Sequence, residues 1–397
     1  MKKSLFFAIA LMGAMVFTAC SSDSQTPAGD TTKLWPAGKN GSELFGYIDK
    51  SGNLEIPAKY DMTFGFSCGW ALVSEDDEPV FIDKSVKNKK SVDQSELTDY
   101  YFYYNHIRFK DGKFKGMWDK DFATVIPADY EYLGMPTADK LVAFAEDLND
   151  DEGCGYLDFN GKVVIEPQWY DAYAFVDGMA VVVEKKGSGS DVSYKYGIID
   201  KKGNYLIEPQ KNGLMSMGEN RIGMQKTSGK FVMCDKNLEE ISGSYDNGSS
   251  LSCGMARVYK SEKGYGFVDK NGQEIIPCKY YRAWAFTDDL TFVKKDADSK
   301  WEVLDKSGNS VLKLKEDEAP EDGFHNGLAL VYSMDSETYE MTYRYIDKSG
   351  NTVYKWTPGD EEEEVAPYNW EEKDLRSVLK TEAGVLFLNA EKNKAIR

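Results

Sequence analysis

The chain has 397 residues and a formal charge of −18, with 66 acidic residues against 48 lysines and arginines and only two histidines, His106 and His325. A surface this acidic repels nucleic acid and anionic lipid headgroups. Two histidines argue against metal or general-base chemistry built on imidazole. Proteins, neutral glycans and cations are left as partners.

The N-terminus reads MKKSLFFAIALMGAMVFTAC, with Lys2 and Lys3 before an apolar run from Leu5 to Phe17 and small residues before Cys20. This is the layout of a secretory signal peptide over residues 1–19. The run is short for a spanning helix, which needs ~20 apolar residues. The closing Phe-Thr-Ala-Cys resembles the lipobox of bacterial lipoproteins, with Phe17 where Leu is usual. That resemblance implies cleavage before Cys20 and diacylation of its thiol. The polar residues 20–33 then form a flexible tether ahead of a β-repeat domain over 34–397. Losing residues 1–19 removes two lysines and no acid, which shifts the charge from −18 to −20. The expected location is the bacterial cell envelope, on the outer membrane with either face open, held through the lipid alone.

From Gly46 onward one phrase returns. It reads GYIDKSGNLEIPAKYD at Gly46, GYLDFNGKVVIEPQWYD at Gly155 and GFVDKNGQEIIPCKYY at Gly266. Its aspartate recurs at Asp49, Asp83, Asp119, Asp158, Asp200, Asp235, Asp269, Asp305 and Asp347, spaced 34 to 42 residues apart, with Asn389 as a degenerate tenth. Such a period marks a repeat architecture of nine to ten units of about 38 residues. Each unit reads as a hairpin: an alternating strand, an Asp-x-x-Gly turn, and a second strand carrying Ile. The aspartate can accept backbone N–H groups of the turn and the glycine supplies a positive φ, so both read as structural. Pro57, Pro127 and Pro277 are expected to end the second strand. A later turn at Gly69, Gly178 or Gly254 precedes a further short strand, which makes three or four strands per unit. The repeats around Asp83, Asp235 and Asp305 are eroded, and residues 85–96 replace the usual hairpin return. Trp370 to Lys380 reads as a short amphipathic helix.

Few residues outside the bricks carry chemistry. Asp99 to Phe109 holds Tyr100, Tyr101, Tyr103 and Tyr104, aromatics that could stack on sugar rings or anchor a protein; alternation between the two faces of a strand accounts for them better. Asp147 to Gly153 begins like a calcium loop, but Glu152 sits where the sharp turn wants Gly, so it reads as a solvated acidic loop. Asp360 to Glu364 reads as a charged loop. Cys68, Cys154, Cys234, Cys253 and Cys278 lack a CxxC and suggest buried thiols; no metal site and no cofactor is indicated.

These phrases resemble the WG-repeat family of bacterial proteins over residues 34 to 397, although Phe45-Gly46, Tyr196-Gly197 and Tyr265-Gly266 hold the place of Trp-Gly. The resemblance implies an all-β chain and an envelope or secreted location. Units of this size fit propeller blades, in one large ring or two smaller ones, and the alternative is an open β-solenoid array. The functional expectation is a noncatalytic, lipid-anchored scaffold that binds protein or glycan. The alternative is a carboxylate-dependent glycan hydrolase with two acids ~5 to 9 Å apart in a cleft.

Overall fold

The structure, a computed structural model, describes residues 33–188 and 191–359. Cys20, Asp360 to Glu364, the 370–380 segment and Asn389 lie outside them. Among the described residues there is no helix, and the strands form nine antiparallel sheets that follow one another along the chain as the blades of a propeller. The blades span residues 35–60, 62–91, 106–130, 132–169, 171–210, 213–234, 247–280, 282–313 and 318–356. Six have four strands. The first and third lack the short opening strand, and the sixth lacks the last one.

Alternation within each strand decides the packing, because successive side chains leave opposite faces of a sheet. In the fifth blade Ala180 and Val182 face the fourth blade, while Met179, Val181 and Ile198 face the sixth. Repeated round the molecule, this produces nine buried apolar clusters, one between each pair of neighbouring blades. An open row of nine blades would have eight. The ninth cluster joins Trp35, Ala37 and Ile48 of the first blade to Leu328, Tyr343, Tyr345 and Trp356 of the last, so the chain closes in one ring. Trp35–Gly38 pairs only with Phe45–Ile48, and the seam is crossed by side chains: the Tyr345 hydroxyl donates to Pro36 O (2.8 Å) and Tyr354 to Gly38 O (3.1 Å).

The glycine three residues before each anchor and the Ile-Pro three strand positions away are one device. Tyr47 pairs with Ile56 but Phe45 pairs with Tyr60, so Pro57 sits in a bulge opposite Gly46; the fourth and seventh blades repeat this at Pro167 and Pro277. The bulge pushes backbone at the facing residue. A Cβ on Gly155 would lie 2.6 Å from Ile165 O, and one on Gly266 2.6 Å from Ile276 O. The prolines therefore do not end the second strand as the sequence suggested; they lie within Leu54–Tyr60, Thr124–Tyr130 and Glu274–Tyr280. A bulged last strand tolerates a residue with no N–H to donate.

A turn glycine after an anchor can have two duties where one in an opening turn has a single one. Gly272 has φ +79°, and a Cβ there would overlap the Ile241 carbonyl of the preceding blade, whereas Gly69 has φ +90° and nothing within 4 Å. Gly69→Ala is expected to cost about 1–2 kcal/mol from backbone strain alone, and Gly272→Ala distinctly more, because the blade interface must also shift. Urea unfolding of the two variants measures the difference. Equal costs would show that the close approach contributes nothing.

Three units, two of them among the eroded ones, keep the turn without the glycine. Val86, Phe122 and Leu238 occupy its position with φ between +59° and +63°, and each packs its side chain into an interblade cluster. Burial of an apolar plug offsets the left-handed backbone.

Candidate functional site: the variable-loop face

Strand register assigns the two kinds of turn to one end of the ring. Trp70 pairs with Asp83, Met179 with Asp200, and Leu290 with Asp305, so the turn that opens each blade lies beside the Asp-x-x-Gly turn that follows. The other end carries the loops joining the second and third strands, as Glu75 pairing with Glu78 shows in the second blade.

At the turn end the recurring residues are occupied. Asp269 Oδ1 accepts the N–H groups of Asn271 and Gln273, both at 2.9 Å, and its N–H donates to Gln273 O. The arrangement recurs at Asp49, Asp158, Asp200, Asp305 and Asp347. Hydrogen bonds from the Asn side chain four residues on, then from turn amides, hold Asp49, Asp200 and Asp305 below the usual carboxylate range. They thus support the fold above about pH 4 and lose that support as the pH falls through their folded values.

The same end holds the blades together, through a signal the sequence reading passed over. Lysine follows the anchor in most units. Lys201 pairs with Asp139 of the preceding blade (2.9 Å), Lys306 donates to Cys253 O (3.1 Å) and Lys348 to Asp288 O (2.6 Å). The opening turns connect as well: Gly178 N–H donates to Asp139 (3.1 Å), Asn220 to Asp177 (3.2 Å) and Gly327 to Asp288 (2.5 Å), each one blade back.

At the opposite end the loops vary. They span 39–44, 76–77, 112–113, 146–153, 187–192, 226–230, 261–263, 295–300 and 335–340, from two to eight residues. Several large apolar side chains stand exposed there: Tyr339 (66 % exposed), Leu148 (59 %), Met334, Leu44, Phe114 and Tyr281. In the 146–153 loop the acids bind their own backbone, Asp147 accepting from Asn149 N (2.8 Å) and Asp150 from Glu152 N (3.0 Å), while Asp151 pairs with Lys185 (2.6 Å).

The four tyrosines singled out in the sequence do not form one patch. Tyr101 is buried between the second and third blades and Tyr103 is half-buried there. Tyr100 is exposed but stacked on Phe64 at 4.8 Å, and Tyr104 (53 % exposed) caps an opening turn at the other end of the ring. The free thiols among the described residues are Cys68, Cys154, Cys234 and Cys278. Burial raises Cys154 to about 12 and Cys234 to about 11, which leaves neither as a thiolate nucleophile at neutral pH.

One acid stands apart. Glu321, at the start of the ninth blade, is pushed up to about 7 by burial and by the neighbouring Asp322. Asp322 Oδ2 in turn lies 2.9 Å from His325 Nε2. An acid raised on folding stabilises fully below its unfolded value near 4.3, and that contribution fades as the pH rises through about 7. Glu321→Gln is expected to flatten the fall in stability between pH 5 and pH 8 by up to about 3 kcal/mol, read by thermal unfolding at both values. An unchanged slope would contradict the assignment.

The WG containing repeat matches the sequence at residues 45–78, 155–187, 196–214 and 265–301. The chain carries WG repeats at these four places. The matched stretches fall mainly on the first, second, fourth, fifth, seventh and eighth blades; the third, sixth and ninth, between and after them, are antiparallel sheets of the same ring. No curated protein matches the sequence. Among solved structures, one described as the eukaryotic initiation factor is 8% identical with a TM-score of 0.42 over 83% of this chain and 96% of its own. The computationally designed Ika8 protein is 13% identical with a TM-score of 0.41 over 74% and 94%. BamB from Moraxella catarrhalis is 12% identical with a TM-score of 0.34 over 83% and 92%. Likeness at this level carries no argument about function.

Proposed function

We propose that this WG-repeat protein is a noncatalytic scaffold of the bacterial envelope, tethered to the outer membrane through lipid on Cys20, that binds protein or glycan on its variable-loop face. The observation that carries the reading is the division between the two ends of the ring. The recurring Asp, Gly and Lys are used in turns and blade contacts at one end; loops of differing length occupy the other. A glycan and peptide array tests it, with saturable binding and no product expected. Hydrolysis of an arrayed ligand would overturn it. Membrane fractionation of Cys20→Ser tests the anchor: the variant is expected in the soluble fraction, and an unchanged distribution would remove the lipid from the account.

The hydrolase reading rests on one feature, Glu321 beside Asp322, pushed up to about 7 by burial, so that it still carries a proton part of the time at neutral pH, as a general acid must. Under that reading an array product would vanish in Glu321→Gln.

A further inference from the structure

The loop ends of the ninth and first blades join into one surface. Gly41 N–H donates to Thr357 O (2.9 Å) and Thr357 N–H to Asn40 Oδ1 (3.2 Å), which lays the 39–44 loop along the end of the ninth blade. The Thr357 hydroxyl is 3.0 Å from that of Thr342, whose strand partner Ser333 precedes Met334. Leu44, Met334 and Tyr339 are thus exposed on adjoining loops. Tyr339 is held in place: Asp335 Oδ1 accepts from Glu337 N (2.8 Å) and Thr338 N (2.9 Å), and Tyr339 N–H donates to Asp335 O (2.9 Å). A loop whose backbone is fixed in this way presents its aromatic to a partner at less ordering cost.

The charge of the loops around this apolar patch is predominantly negative. The loops 335–340, 39–44 and 76–77 of the ninth, first and second blades contain Asp335, Glu337, Glu340, Glu43, Asp76 and Asp77 against a single Lys39. A polar rim of one sign around an apolar centre selects the opposite sign in its partner. We propose that this surface docks a cationic polypeptide segment, its apolar side chains against Tyr339 and Met334 and its lysines or arginines facing the acids of the three loops. The proposal rests on the scaffold reading and narrows it to one face sector and one partner chemistry.

The test uses the full chain in detergent and two labelled synthetic peptides, one of lysine, leucine and glycine and one with glutamate in place of lysine. Binding of the cationic peptide is expected to weaken about tenfold or more in Tyr339→Ala, in line with loss of an aromatic anchor, and to weaken again in Asp77→Lys. Raising salt from about 0.05 to 0.5 M should weaken it further, since exposed charges are screened over that range. Tyr104→Ala, at the opposite end, should bind as the parent does. Equal binding of both peptides, or parental binding by Tyr339→Ala and Asp77→Lys with unchanged thermal unfolding, would overturn the proposal. Array ligands still held by those two variants would show that the scaffold reading survives without it.

Discussion

Trp356→Ala is expected to cost about 3–5 kcal/mol, the range for truncating a large buried aromatic. Trp356 closes the ring. It is almost wholly buried, stacks on Tyr343 with ring centres 5.2 Å apart, and lies so close to Gly38 of the first blade that a Cβ there would strike the indole. Its indole N–H has no hydrogen-bond partner. Trp356→Phe should therefore cost much less than the alanine variant, since it keeps most of the apolar contact and removes a donor that is unsatisfied in the folded state. Urea midpoints with unchanged slopes would report this as stability alone. A loss under about 1 kcal/mol in Trp356→Ala would mean that the seam between first and last blades contributes little, and that eight interfaces suffice.

Arg344→Met should be comparably severe, for an electrostatic reason. Glu318 opens the ninth blade and is buried, and Arg344 meets it in parallel, Nε to Oε1 at 2.6 Å and Nη2 to Oε2 at 2.7 Å. Burial alone would raise the Glu318 carboxyl; the Arg344 hydrogen bonds and the Lys315 N–H outweigh it and hold the group below its ordinary value. Removing Arg344 leaves the buried carboxylate only the exposed Lys315, whose Nζ lies 3.5 Å from Oε1; breaking a buried pair costs about 3–5 kcal/mol, while replacing both partners by apolar groups is often nearly neutral. The double variant Arg344→Met, Glu318→Leu should thus recover most of the loss. The pH dependence reverses as well. In the parent, the pair supports folding above about pH 4 and fades as acid protonates Glu318; in Arg344→Met, the buried carboxyl prefers its proton, so stability should rise as the pH is lowered. A single variant that loses under about 1 kcal/mol, or a double variant no better than the single, would contradict this.

The local half of the fold was legible because it rests on short-range rules. Asp-x-x-Gly names its own turn, and alternation around Ile56 or Ile165 names its own strand. Propeller-like packing and the WG resemblance followed from the period. What was not legible depends on register between strands. Pro57 was read as a stop because its missing N–H is a sequence property, while the bulge that accommodates it opposite Gly46 is a property of the pair. The lysines beside the anchors were visible, but their partners lie one blade back. The units of Val86 and Leu238 looked eroded, since a left-handed turn without glycine is unexpected; the compensating plug appears only once blades are neighbours. For the candidate face the same limit applied. Tyr100 to Tyr104 drew notice as a dense run, yet Tyr101 is core, whereas Tyr339 stood alone in sequence and gains its setting from the first blade's loop.

The recurring carboxylate is the point on which the division between frame and binding face turns. Thermal unfolding of Asp269→Asn and Asp269→Ala, side by side, tests it most directly. Asparagine keeps an oxygen that can accept from Asn271 and Gln273 and alanine does not, so Asp269→Asn should stay near the parent and Asp269→Ala should lose about 1 kcal/mol. Equal losses in both, which would mean that the charge and not the turn is what matters at Asp269, would contradict the account.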